Sequence, residues 1–140
     1  MKRVKKSVCK KMAGFLGAAV MAAGLLVSTP VHAASYVYGP SIDGVQPYGE
    51  VGYNSSSVSA YTRHKIHIEK KISLTAYASC GRYIVPYGTV TNTGTDSNII
   101  GANFNMASPC VGIGGKATHT VNAYFINASW SDSTNIGYYE

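Results

Sequence analysis

Three of the four histidines are the residues whose type could support metal chemistry. His64 and His67 lie three positions apart, and His119 lies much further along the chain. In a β-strand, side chains three positions apart point to opposite faces, so His64 and His67 do not readily share a metal ion. The sequence therefore predicts no metal site, and it implies no cofactor.

Nucleophilic catalysis would need a serine beside a base and an orienting acid. His119 could be the base and Asp96 or Asp132 the acid, but no serine lies in the Gly-x-Ser-x-Gly pattern that exposes a nucleophile. The six acidic residues also lack the recognisable pairing of a glycoside hydrolase. The sequence predicts a protein that is not an enzyme.

Tyrosine is the most suggestive residue type, with 11 in the chain. A tyrosine ring can stack on a sugar or anchor a protein interface, and its polar tip tolerates water. Tyrosine is also a common strand residue that covers a small core. The composition therefore allows either a binding face or simple packing.

The elements that would position these residues are β-strands. Between Lys71 and Cys80, apolar residues at even positions alternate with polar residues at odd positions, as in a strand with one buried face. A similar run starts near Val58, and its even positions continue the apolar parity as far as Ala78. The odd positions of the whole run give a candidate binding face: Tyr61, Arg63, Lys65, His67 and Tyr77.

The connection between the two runs lies near Lys70. A single long strand, bent or bulged there, keeps the apolar residues on one face, and so does a hairpin with a loop at residues 69–71. The loop lacks Gly, Asn and Asp, so the sequence favours the long strand. Arg63, Lys65, Lys70 and Lys71 form a local basic cluster, which we interpret as a solvated strand face.

Further strand-like runs lie at residues 82–91, 99–106 and 116–130, and turn-forming residues separate them. No segment after residue 34 shows a sustained helical period. The predicted fold is all-β: a small antiparallel β-sandwich, or a partly closed barrel, of about six to eight strands.

The first 33 residues predict a cleaved signal peptide. A basic start precedes an apolar run at residues 12–27, and small side chains at Val31 and Ala33 favour cleavage between Ala33 and Ala34. An uncleaved membrane anchor is the alternative, which the glycines of the run and Pro30 disfavour. The long basic start is typical of bacteria, with a lean to Gram-positive species. Residues 34–140 then form one secreted β domain.

The formal net charge of +6 belongs to the predicted signal peptide, because the charges after it cancel. This balance argues against binding to nucleic acid through bulk charge. The two cysteines after the signal, Cys80 and Cys110, predict one disulfide, as expected outside the cell.

These observations predict a secreted, non-enzymatic protein that is extracellular or associated with the cell wall. Its predicted partner is an extracellular protein or a cell-wall surface, with no nucleic acid and no membrane anchor after cleavage. A carbohydrate- or peptidoglycan-binding module and a secreted bacteriocin-like effector are the alternatives, and an unrecognised hydrolase is a further one.

Overall fold

Alternation of apolar and polar residues produces eight strands in the computed structural model, which describes residues 33–138. The strands are β1 Ala33–Tyr38, β2 Tyr48–Tyr53, β3 Ser57–Arg63, β4 Glu69–Cys80, β5 Tyr83–Gly94, β6 Ile99–Asn105, β7 Cys110–Ala123 and β8 Ala128–Gly137. A short 3-10 turn, Tyr124–Ile126, joins β7 to β8. No helix among residues 33–138 has the length and apolar character needed to span a membrane.

The strands form two antiparallel sheets of four strands each. The first sheet has the order β1-β2-β3-β6, and the second has the order β5-β4-β7-β8. The two sheets pack face to face, with β2 and β3 against β7. The predicted antiparallel β-sandwich is confirmed. Residues 1–32, which hold nearly all of the predicted signal peptide, lie outside the described part of the chain.

The core lies between the sheets and is built from the apolar parity seen in the sequence. Val51 and Val58 of the first sheet pack in one cluster with Ile72 and Leu74 of the second, and all four are buried. Each such side chain contributes about 1.5–3 kcal/mol by leaving water. A second buried cluster, which includes Ile68 and Trp130, extends the core towards one end.

The single long strand predicted through Lys70 is wrong, and so is the hairpin. β3 ends at Arg63 and β4 begins at Glu69, and the two strands belong to different sheets. Residues 64–68 cross between the sheets, and His67 takes the left-handed backbone conformation with φ 68°. Two strands that face one core from opposite sides keep the same apolar parity, so alternation does not distinguish this crossing from one continuous strand.

Lys70 departs from the predicted solvated cluster because its side chain is buried. It lies on the even, inward parity of β4, and its Nζ donates hydrogen bonds to the backbone carbonyls of Lys65, at 2.7 Å, and Ile68. Burial lowers the pKa of Lys70. This ammonium therefore ties the crossing segment to the start of β4.

The predicted disulfide between Cys80 and Cys110 is confirmed. The two residues are direct partners in the pairing of β4 with β7. They lie at the end of β4 and the start of β7, so the bond closes one end of the central strand pair of the second sheet.

Candidate functional site

The structure divides the predicted binding face between the two sides of the sandwich. Tyr61 and Arg63 lie on the outward parity of β3 in the first sheet, and Tyr77 lies on the outward parity of β4 in the second. Arg63 is exposed, whereas neighbouring side chains leave Tyr61 and Tyr77 only 3% and 7% exposed. Lys65 and His67 lie in the crossing segment, where Lys65 pairs with Asp43 at 3.1 Å. The five residues do not share one face, because the chain crosses the core between Arg63 and Glu69. Their role in binding stays a prediction.

Tyr61 and Arg63, which the structure keeps together, belong to a tyrosine cluster on the first sheet. The ring centroid of Tyr48 lies 5.7 Å from that of Tyr61 and 4.8 Å from that of Tyr38. The guanidinium carbon of Arg63 lies 5.0 Å from the centre of the Tyr48 ring, a cation–π geometry. Arginine and tyrosine are enriched among the residues that contribute most to protein interfaces.

Glu50 lies within the tyrosine cluster, and the phenols of Tyr48 and Tyr61 both donate to its Oε2, the latter at 3.1 Å. Burial raises the pKa of the Glu50 carboxyl to about 7, although the two phenols and the Arg63 guanidinium favour its charged form. This carboxyl therefore changes charge near neutral pH.

His119 is buried between the sheets and bonded to two threonines. Its Nδ1 lies 2.9 Å from Thr62 Oγ1, and its Nε2 lies 2.7 Å from Thr134 Oγ1. Burial lowers its pKa to about 4, against a weaker opposite effect of Asp132. Because both ring nitrogens have threonine partners and the ring is fully buried, His119 holds the sheets together and does not face a substrate.

Neither of the other two described histidines joins His119 in a metal-binding arrangement. His64 is buried, and its Nε2 lies 3.0 Å from the backbone carbonyl oxygen of Val45. His67 is exposed in the crossing segment. Within residues 33–138, no group of three or more His, Cys, Asp or Glu is placed to hold a metal ion.

A polar groove of about 530 Å³ crosses the outer face of the second sheet. Outward-pointing residues of β4, β5 and β7 line it together with the first residue of the 3-10 turn: Glu69, Lys71, Ser73, Thr91, Thr118, Thr120, Asn122 and Tyr124. These side chains meet because β4 pairs directly with both β5 and β7. The groove is a candidate site for a small polar ligand.

Paired hydroxyls form the floor of this groove and its surroundings. The Thr91 hydroxyl donates to Ser73 Oγ at 3.1 Å, and the hydroxyl oxygens of Thr120 and Ser131 lie 3.2 Å apart. A hydroxyl has one donor and two acceptor positions, so each of these groups keeps capacity for a further bond. The floor can therefore both donate hydrogen bonds to a ligand and accept them from it.

Neighbouring side chains of the groove hold the Glu69 carboxylate in place. Its Oε1 accepts hydrogen bonds from Asn122 Nδ2 at 2.7 Å and from the Tyr124 hydroxyl at 2.8 Å. Chiefly these two bonds, and then the charge of Lys71, lower the pKa of the Glu69 carboxyl. Within residues 33–138, neither its second oxygen nor the Lys71 ammonium forms a hydrogen bond. One acceptor and one donor thus remain for a ligand.

Tyr124 provides an aromatic ring at the rim of the groove. It begins the 3-10 turn, which Asn127 ends in the left-handed conformation. The bond from its hydroxyl to Glu69 fixes the ring while leaving the residue 73% exposed. A fixed, exposed ring is suited to packing against the apolar face of a sugar.

This groove was not predicted from the sequence, although the outward parity of its polar residues was visible there. Glu69 and Lys71 occupy the same outward parity as Tyr77, and Thr118, Thr120 and Asn122 alternate in the same way. The missing information was the pairing of β4 with β7, which places Lys71 opposite Thr120.

No protein-family model matches the sequence, and a comparison with curated proteins also finds no match.

Proposed function

We propose that the protein is exported and acts outside the cell as a non-enzymatic binding protein. Its ligand is a carbohydrate of a cell-wall or similar extracellular surface, and the groove on the second sheet holds it. The observation that carries this proposal is the Glu69 carboxylate, which two neighbouring donors orient while its second oxygen stays available.

The chemistry of the groove matches that of a sugar. Each sugar hydroxyl can donate one hydrogen bond and accept others, so it fits between the Glu69 acceptor, the Lys71 donor and the hydroxyl floor. The Tyr124 ring offers a flat apolar surface for the C–H groups of a pyranose. Because Asn122 and Tyr124 already hold Glu69 in place, binding would cost little ordering of that side chain.

Export is supported by the disulfide together with the predicted signal peptide. A bond between Cys80 and Cys110 is compatible with an oxidising compartment. The basic and apolar character of residues 2–27 favours entry into that compartment through secretion. The proposed ligand belongs to the same environment.

A protein partner is the second candidate, and the tyrosine cluster of the first sheet favours it. Arg63 and Tyr38 are exposed there, and Arg63 stacks on Tyr48. The proposed protein contact lies on the opposite side of the sandwich from the groove, so variants of one face leave the other unchanged.

Substitution in the groove is expected to weaken binding of soluble cell-wall oligosaccharides. Glu69→Gln removes the charge that strengthens a ligand hydrogen bond, and we expect a roughly tenfold rise in Kd. Tyr124→Ala removes the ring and one donor to Glu69, and a loss of about tenfold or more is expected. Isothermal titration calorimetry of the purified protein measures both.

Tyr83→Ala is the matched control for Tyr124→Ala, because Tyr83 is also 73% exposed but lies near the disulfide, outside the groove. It should bind like the wild type. Equal losses in the two tyrosine variants, or no glycan binding by the wild type, would rule out the groove as the site.

A further inference from the structure

The 3-10 turn between β7 and β8 carries three large apolar side chains in succession. Tyr124, Phe125 and Ile126, which we name the apolar tip, are 73%, 66% and 46% exposed. None of the three belongs to either buried core cluster. Folding therefore leaves in water a surface that the hydrophobic effect would drive into an apolar environment.

A fourth exposed apolar residue lies at the same end of the sandwich. Ile66, in the crossing segment, is 50% exposed and lies three residues before Glu69. Glu69 is the direct strand partner of Asn122, two residues before the apolar tip. The Cys80–Cys110 bond is at the other end of the same strands, where Tyr83 and Val111 are also exposed. The apolar tip differs from that end in presenting three large apolar side chains in succession.

A backbone hydrogen bond closes the turn that carries the tip. The N–H of Asn127 donates to the carbonyl oxygen of Tyr124 at 3.2 Å, which closes the turn. Asn127 takes the left-handed conformation with φ 50°, and the chain then enters β8. A closed turn with internal hydrogen bonding costs less to place in an apolar medium than an open loop does.

The size of the tip favours a lipid surface over a protein partner. From the exposed fractions, the three side chains offer roughly 400 Å². A stable protein interface needs about 800 Å² from each partner, on a broad matching surface. The tip is a turn of only three residues between the paired strands β7 and β8, and a fluid bilayer can close around a feature of this size.

The polar groups beside the tip agree with shallow insertion. The hydroxyl of Tyr124 is bonded to Glu69, and Lys71 lies in the same groove, so charged groups lie immediately behind the rings. Tyrosine favours the boundary between headgroups and acyl chains. Phe125 and Ile126 would then reach deeper while Glu69 and Lys71 stay among the headgroups.

We propose that the apolar tip inserts into the surface of a phospholipid bilayer as a reversible contact. This proposal does not rest on the glycan groove, although Tyr124 belongs to both the apolar tip and the groove. Because the formal charges after residue 34 cancel, apolar burial provides the attraction and salt has little effect on it.

Vesicle flotation of the purified protein tests the proposal, with phosphatidylcholine vesicles at low and at high salt. The wild type is expected to float with the vesicles at both salt concentrations. The double variant Phe125→Ser/Ile126→Ser is expected to lose at least about tenfold in vesicle affinity. Tyr83→Ser, which removes an equally exposed ring at the other end, should retain binding.

Two further measurements separate this contact from other roles of the same residues. Glu69→Gln should keep vesicle binding while losing glycan affinity, so failure of one proposal is distinguishable from failure of the other. Thermal unfolding of the double variant should match that of the wild type, since the replaced side chains lie outside the core.

Absence of wild-type flotation would overturn the proposal, and so would equal loss in Tyr83→Ser. Binding that requires anionic lipid and disappears at high salt would show charge attraction instead. A wild-type dimer that Phe125→Ser/Ile126→Ser dissociates would assign the tip to self-association.

Discussion

Replacing both Cys80 and Cys110 with serine is expected to lower the free energy of unfolding by about 3–4 kcal/mol. The bond joins residues 30 positions apart, and in the chain-entropy model a loop of this length restricts the unfolded chain by about that amount. The loss is large because small domains are typically stable by only about 5–15 kcal/mol. Urea unfolding followed by tyrosine and tryptophan fluorescence measures it.

The wild type treated with a reductant is the control for the double serine variant. Both forms lack the bond, so their unfolding midpoints should agree within error. A loss below about 1 kcal/mol would show that the pairing of β4 with β7 holds this end of the sandwich without the disulfide.

Acidification is expected to destabilise the protein through His119. Its pKa is about 4 in the folded state against an ordinary value of 6.5, so folding favours the neutral ring. The stability that His119 contributes is fully present above pH 6.5 and is lost as the pH falls towards 4. The difference corresponds to about 3 kcal/mol.

Glu50 acts in the opposite direction over part of this range. Its pKa is raised from 4.5 to about 7, so folding favours the protonated carboxyl, and stability decreases as the pH rises from 4.5 to 7. The effect of His119 is therefore best measured in a Glu50→Gln background. Urea unfolding between pH 4 and pH 7 should show the His119 loss there.

Glu50→Gln/His119→Gln is the comparison that isolates the histidine. Other carboxyls, such as Glu69, titrate equally in both proteins and cancel in the difference. Equal pH dependence with and without His119 would contradict the proposed neutral, doubly bonded ring.

The β-sandwich was predictable because the sequence patterns that indicate it are local. The alternation from Ile72 to Ala78 defines the buried face of β4, and the two cysteines that follow the predicted signal peptide predict one bond. The crossing at residues 64–68 was not predictable from parity, since Ile68 in the crossing segment and Ile72 in β4 have the same parity and are both buried. The left-handed backbone conformation of His67 was not predictable from its residue type either, because glycine and asparagine are the residues that favour this conformation.

The candidate site was less predictable because it depends on contacts between distant segments. Glu69 and Asn122 meet only through the register of β4 with β7. His119 lies between Thr62 and Thr134, which come from different sheets. Local spacing indicates which side of a strand is polar, but the neighbouring strand decides which polar groups form a groove.

Backbone-amide NMR during titration with a soluble cell-wall oligosaccharide tests the carbohydrate groove most directly. The account predicts that shift changes concentrate at residues 69–73 of β4 and 118–124 of β7 and the turn, and saturate with one affinity. Changes confined to the first sheet around Tyr61 and Arg63, or no changes at saturating glycan, would contradict a carbohydrate site on the second sheet.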